Sequence, residues 1–274
     1  NGKHMLLFFS HKRGGQYFVG EYDRETHRFT PDYHGRLNNG PLAIGSLHAP
    51  SATIDDSGRF LAIFNVKESR EPQGWSDIMT LPIHMSLRDD NSLVIRPAAE
   101  IETLRGDRVV VDDVVVNAGE ELVLDSVSGS AFEISVKIDP GDAHEIGLNV
   151  LRSPDGQETT RISFFPQGHP RFGSPLMQID GTSSSIRTDL VPRPPEIGPL
   201  DVADGEPVEL RIFVDRSIVE VFANDQQCLT LRAYPDRDDS LGVSLFARGG
   251  SATFSGIQAW RMESVWPELV RQGG

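Results

Sequence analysis

The sequence predicts an all-β protein. Short alternating or apolar runs recur along its whole length, and clusters of Gly, Pro, Asp and Asn separate them. A single short segment reads as helix. Many short strands with frequent turn signals are the mark of sandwiches and propellers.

Taken in order, the predicted strands are HMLLFFS, GQYFVGEYD, FLAIFNV, DIMTLPIHMSL, VVVDDVVV, FEISVKI, EIGLNVLR, TRISFF, VELRIFVD, SIVEVFA, CLTLRAY, GVSLFAR and ATFSGIQAWRM. Turn chemistry marks the connections: RGG at 13–15, DDSG at 55–58, DPGD at 139–142 and SPDG at 153–156. Each supplies an Asp to cap the turn or a Gly for positive φ. The helical exception is PAAEIETLRGD at 97–107, which opens on Pro and places Gly after an Arg in its last turn. It divides the chain into residues 1–96, a linker at 97–106, a second domain at 107–265 and a tail at 266–274. The Pro-rich stretch VPRPPEIGPL, 191–200, reads as an extended polyproline-like connection inside the second domain.

Composition narrows the partners. Forty acidic against 26 basic residues give a net charge of −14, which repels phosphate backbones and anionic lipid. Nucleic acid and membrane surfaces are therefore poor partners, whereas a neutral ligand such as a sugar is compatible. No apolar run approaches the roughly 18 residues of a membrane span, and MLLFF is too short for a signal-peptide core. The single cysteine, Cys228, allows no intrachain disulfide, zinc cluster or redox pair, and reads as a packed thiol. No cofactor or metal site is legible: the eight histidines show no ligand spacing, and Asp236, Asp238 and Asp239 lack the pattern of a calcium loop.

The segment VELRIFVDRSIVEVFANDQQCLTLRAYP reads as a three-stranded meander. Leu210, Ile212 and Val214 point one way, and Glu209, Arg211 and Phe213 the other. Asp215, Arg216 and Glu220 look catalytic at first sight. The structural reading, in which Asp215 and Arg216 cap a turn and pair with each other or with neighbours, is favoured.

VDRSIVEVFAN, followed by CLTLRAYPDRDDSLGVSLFA, closely resembles the C-terminal β-sandwich of glycoside hydrolase family 32, which includes invertases, levanases, inulinases and fructan exohydrolases. HEIGLNVLRSPDGQETTRISF and IDGTSSSI resemble the same sandwich. GKHMLLFFSHKRGGQYFVGEYD, SLHAPSATIDDSGRFLAIFNVKE and GWSDIMTLPIHMSL resemble the last blades of that family's five-bladed propeller. The resemblance implies an all-β chain made of the last blades of a five-bladed β-propeller followed by a C-terminal β-sandwich. It further implies a retaining glycosidase acting on β-fructofuranosyl bonds in sucrose or fructans, with a nucleophilic carboxylate and an acid about 5 Å apart.

In the family the nucleophile lies in Asn-Asp-Pro, a supporting Asp in Arg-Asp-Pro and the acid in Glu-Cys. None of these occurs here: Asn224-Asp225 precedes Gln226, Arg237-Asp238 precedes Asp239, and Gln227 precedes Cys228. The expectation is that this chain carries no catalytic residue. The carboxylates would come from an N-terminal propeller half, present as a second chain or a missing segment, because two blades cannot close a ring and would expose strand edges.

Pocket-wall candidates follow from the same resemblance. Asn39 stands where the family usually has an Asp linked in some members to sucrose binding. His48 replaces an aromatic, and is either a hydrogen-bond donor to a sugar hydroxyl or a structural histidine at a blade edge. Trp75 suits the face of a sugar or packs between the domains. Trp260 and Trp266 read as packing or anchoring residues. Two rival readings are a non-catalytic carbohydrate-binding module, which exposed aromatics on a concave sheet face would favour, and a fructosyltransferase of the same family.

Overall fold

The computed structural model describes residues 2–37, 47–67, 70–71, 74–168, 173–191, 193–203 and 205–266. The first region holds β1 (His4–Ser10), β2 (Gly14–Asp23), β3 (Arg28–Arg36), β4 (Leu47–Ile54), β5 (Phe60–Val66), β6 (Ile78–Met79), β7 (Ile83–Leu87) and β8 (Leu93–Pro97). These strands form two antiparallel sheets, β1-β2-β3 and β4-β5-β7-β8, with β6 pairing β5. A 3-10 turn at Ala99–Leu104 follows. The second region holds β9 (Arg105–Val110), β10 (Val114–Val116), β11 (Glu121–Ser128), β12 (Ala131–Asp139), β13 (Glu145–Arg152), β14 (Thr160–Phe165), β15 (Leu176–Asp180) and β16 (Glu196–Pro199). It continues through β17 (Val208–Asp215), β18 (Ile218–Ala223), β19 (Gln227–Arg232), β20 (Gly242–Arg248) and β21 (Ala252–Met262).

The later strands make two sheets, β10-β21-β12-β17-β18-β19 with β9 on β21, and β11-β20-β13-β14-β15-β16. Alternation explains why they stack. Ile134, Val136 and Ile138 of β12, with Leu210, Ile212 and Val214 of β17, share one apolar core with Ile146, Leu148 and Val150 of β13 and Ile162 and Phe164 of β14. This is a β-sandwich.

Several sequence expectations change in detail. The helical segment is a six-residue 3-10 turn, and Arg105 and Gly106 belong to β9, so Gly106 is no cap. The Pro-rich stretch is not simply a polyproline connection, because Glu196–Pro199 pairs with β15. Pro199 is tolerated there because β16 is an edge strand, where a missing N–H costs no ladder bond. The DIMTLPIHMSL run splits into β6 and β7 around Pro82, which cannot donate to a ladder. β3 is polar and bent, with Pro31 opposite Gly20 at a register shift; a Cβ at Gly20 would lie 2.1 Å from the Thr30 carbonyl oxygen.

A buried ion cluster ties the 3-10 turn to the sandwich. The fully buried Glu133 accepts a bidentate pair from Arg105, at 2.7 and 2.8 Å, and a further bond from Arg211 Nε at 2.9 Å. Arg105 also stacks over Trp260, 4.0 Å from the ring centroid, as expected for a packing tryptophan. Trp266, by contrast, is exposed and anchors nothing among the described residues. Removing one partner of a buried ion cluster strands the others' charge. Glu133→Ala is therefore expected to cost about 3 kcal/mol or more in chemical denaturation, and a loss below about 1 kcal/mol would show that the cluster is not a structural anchor.

Candidate functional site

Two of the three strands of the meander are buried on both faces, and β17 is buried on its core face and at Phe213. Along β18 and β19 every residue is buried. Val219, Val221, Leu229 and Leu231 enter the sandwich core. On the opposite face Phe213, Ile218, Phe222 and Cys228 join a second core with Phe64, Val66, Ile83, Met85 and Ile95 of the first region. The two regions thus share one apolar seam.

Polar contacts fix its register. The Ile95 N–H donates to the Asp225 carbonyl at 2.9 Å, and Arg96 pairs with the Asp225 carboxylate at 2.8 Å. Glu220 lies inside the seam, 2% exposed, and its Oε1 accepts the Leu81 N–H at 2.7 Å. Its Oε2 has no hydrogen-bond partner among the described residues. Burial pushes the Glu220 carboxyl up to about 8; the Leu81 N–H and the nearby Thr230 hydroxyl oppose that rise, and the Asp215 charge adds to it. Burial likewise raises the Cys228 thiol, with the Glu220 charge adding to it, so the cysteine is a packed, unreactive group.

Asp215, Arg216 and Glu220 do not converge on a cleft. Asp215 and Arg216 are exposed at the β17–β18 turn, Arg216 at φ 53°, and no ion pair joins them among the described residues. The turn is held instead by the Arg216 N–H donating to the Ser130 carbonyl at 2.5 Å. Arg237, with Asp236, Asp238 and Asp239, belongs to a paired turn: its guanidinium contacts Asp239 at 2.8 Å and Asp155 at 2.7 Å.

Of the pocket-wall candidates, Asn39 lies outside the described residues. His48 sits near the start of β4, opposite Asn65, with its ring centroid 4.3 Å from that of Phe9. The pairing of β4 with β5 shifts between His48 and Ser51, and Ala49 there adopts φ 40°. A non-glycine residue in that region costs energy and recurs where a side chain is being aimed. Trp75 is 56% exposed, beside Gly74 at φ 85° and Asp77 at φ 63°, so it does not pack between the regions. Its neighbour Asp77 pairs with Lys67 at 3.1 Å. No hydrogen bond or ring contact joins His48 to Trp75 among the described residues. Also among those residues, no group of three or more His, Cys, Asp or Glu side chains is placed to hold a metal ion.

Comparison with known proteins agrees with this architecture. The sequence model for "Glycosyl hydrolases family 32 C terminal" matches residues 100–261. A levanase of Bacillus subtilis is 32% identical over 92% of this chain and 38% of its own length. A fructan 6-exohydrolase of Triticum aestivum is 28% identical over 93% of this chain and 50% of its own. The crystal structure of fructan 1-exohydrolase IIa from Cichorium intybus superposes with a TM-score of 0.82 at 20% identity, covering 96% of this chain and 57% of that one. The chain spans half or less of the length of these two curated relatives.

The seam carboxyl yields a pH prediction. The folded Glu220 holds its proton to about pH 8, whereas an unfolded glutamate releases it near 4.5. The folded state therefore binds more protons across that window, and stability falls as pH rises through it. Glu220→Gln removes this dependence. The Tm difference, variant minus wild type, should grow more positive from pH 5.5 to 8.5, and a pH-independent difference would contradict the assignment.

Proposed function

Because the chain belongs to glycoside hydrolase family 32, we propose that it is the C-terminal portion of an enzyme that cleaves β-fructofuranosyl bonds in sucrose or fructans. The seam carries this reading: a sandwich whose outer face is fused to propeller-type strands is a support, and the chemistry belongs to the propeller. Residues 1–96 are read as the last blades of a five-bladed propeller, 97–106 as a linker and 107–265 as the sandwich.

The sheet β1-β2-β3 supports a missing half. Its face bearing Leu6, Phe8, Phe18 and Tyr22, with His34 and Gln16 among them, is rich in rings; Phe8 stacks on Phe18 with centroids 4.9 Å apart, and Leu6 and Tyr22 remain exposed. That is the face an adjacent blade covers. The N-terminal half then supplies the nucleophile and the acid of a double displacement, the acid kept protonated by its surroundings. This chain supplies pocket wall, with Asn39, His48 and Trp75 meeting the sugar, and no reacting group. The strained Ala49 beside His48 favours the substrate-contact reading of that histidine.

At Phe246 the outward sheet face disfavours the carbohydrate-binding-module reading. Phe246, on the outward face of the second sandwich sheet, is buried beneath Arg161 and Arg248, at 5.2 and 5.6 Å from its centroid. It offers no platform to a sugar.

The test incubates the full-length polypeptide and the isolated 274-residue segment with sucrose and with levan, followed by product chromatography. Free fructose from the full-length protein alone is expected. Longer oligosaccharides would make the enzyme a transferase, and fructose release by the isolated segment would overturn the reading. In the full-length protein His48→Ala should raise KM about 5- to 10-fold, the equivalent of one lost hydrogen bond of about 1 kcal/mol. The kcat should change by less than about twofold, because uniform binding is what is lost; an unchanged KM would remove His48 from the pocket wall.

A further inference from the structure

A cavity of about 250 Å³ lies between the loop that follows β15 and the end of β19, and the fructoside reading gives it no role. Thr182, Ser184, Ser185, Arg187, Arg193 and Arg232 are among the residues that line it. In a chain of net charge −14, three arginines gathered at one small cavity concentrate positive charge locally, offset in part by Asp189 and Asp236 beside Arg187.

Each guanidinium is held in place by the fold. Arg232 donates through Nε and Nη2 to the Ser217 carbonyl and hydroxyl, at 3.1 and 2.9 Å, and lies 5.0 Å from the Tyr234 ring centroid. Arg193 donates to the Lys67 carbonyl at 3.4 Å. Arg187 forks onto Asp189 at 2.9 and 2.6 Å, and its Nη1 lies 3.5 Å from Asp236. Asp189 is exposed, so an oxyanion already occupies the fork of Arg187 from the solvent side and is open to displacement by another.

The wall itself is built rigidly, which is a separate observation. Glu158 is wholly buried, and its carboxylate accepts the N–H groups of Ile186, Asp236 and Arg237 at 2.9, 2.8 and 3.1 Å and the Ser240 hydroxyl at 2.5 Å. No cation pairs with it among the described residues. Burying a carboxylate is costly unless its lone pairs are filled, and here they fix the loop that presents Ser184, Ser185 and Arg187. Gly181 completes the fit, since a Cβ there would lie 2.7 Å from Leu231 Cδ2.

We propose that this cavity binds a small phosphorylated sugar, with the phosphoryl group on the arginines and the sugar hydroxyls on Thr182, Ser184 and Ser185. Arginine forks match tetrahedral oxyanions, and serine and threonine hydroxyls both donate to and accept from a polyol. The volume suits a ligand smaller than the usual drug-sized occupant.

Isothermal titration calorimetry on the full-length protein tests the assignment with inorganic phosphate, fructose 6-phosphate and fructose as probes. Fructose 6-phosphate should bind at least about 10-fold more tightly than either phosphate or fructose. Asp189→Asn, which frees the fork of Arg187, should tighten fructose 6-phosphate binding about threefold. Arg187→Gln should weaken it about 10-fold or more. Equal affinity for phosphate and the sugar phosphate, affinity for fructose matching that for its phosphate, no binding by either phosphorylated probe, or binding indifferent to both substitutions would each overturn the proposal. The last outcome would place the phosphate elsewhere in the molecule.

Discussion

The burial of β18 and β19 on both faces, extended by Phe213 of β17, is the constraint on which the rest of the structure depends. A sandwich sheet ordinarily keeps one face for the core and one for water. Here Phe213, Ile218 and Phe222 are withdrawn from water against Phe64, Val66 and Ile95, and burial of side chains of this size stabilises by about 1.5–3 kcal/mol each. The first region's sheets have few strands, so this seam gives them a second layer to pack on. The 3-10 turn at Ala99–Leu104 is short because it only has to pass from one layer to the other, and the Glu133 cluster pins its exit.

Three buried carboxylates show three ways of meeting the same cost. Glu133 is neutralised by two guanidinium groups. For Glu158, burial raises the carboxyl, but the Ser240 hydroxyl and the Asp236, Ile186 and Arg237 N–H groups more than offset it and hold it below the usual range. Glu220 has a single N–H donor and keeps its proton instead. The number of donors reaching each carboxyl decides which solution applies. This is why the residue in the motif that most resembles a catalytic acid is, by its surroundings, a neutral structural group.

Much of this architecture was legible in the sequence, because strand alternation is a local signal. VELRIFVD displays its period directly, and its two faces lie as the pattern states. What was not legible is where the second face goes: no local rule says that Glu220 meets Leu81, a residue 139 positions away. Strand β16 lay within a Pro-rich stretch read as a polyproline-like connection, and β3, which contains Pro31, was not among the predicted strands, although edge positions tolerate proline. Gly106 imitated a helix cap, yet tertiary pairing with β21 drew the adjoining residues into a strand. At the candidate pocket wall the sequence named His48 and Trp75 by resemblance; the strain at Ala49 and the exposure of Trp75 needed coordinates. The 181–193 cavity had only a weak trace, a serine run next to scattered arginines.

The sandwich and the strands of the first region form one mechanical body through the seam. Hydrogen–deuterium exchange on the full-length polypeptide, resolved to peptides covering 60–66 and 218–223, tests it most directly. Both peptides are expected to be strongly protected and to exchange only through a common opening, with protection free energies that agree within about 1 kcal/mol. Exchange of 60–66 about 100-fold or more faster than 218–223 would contradict it, because the sandwich would then be stable without the strands it is said to support.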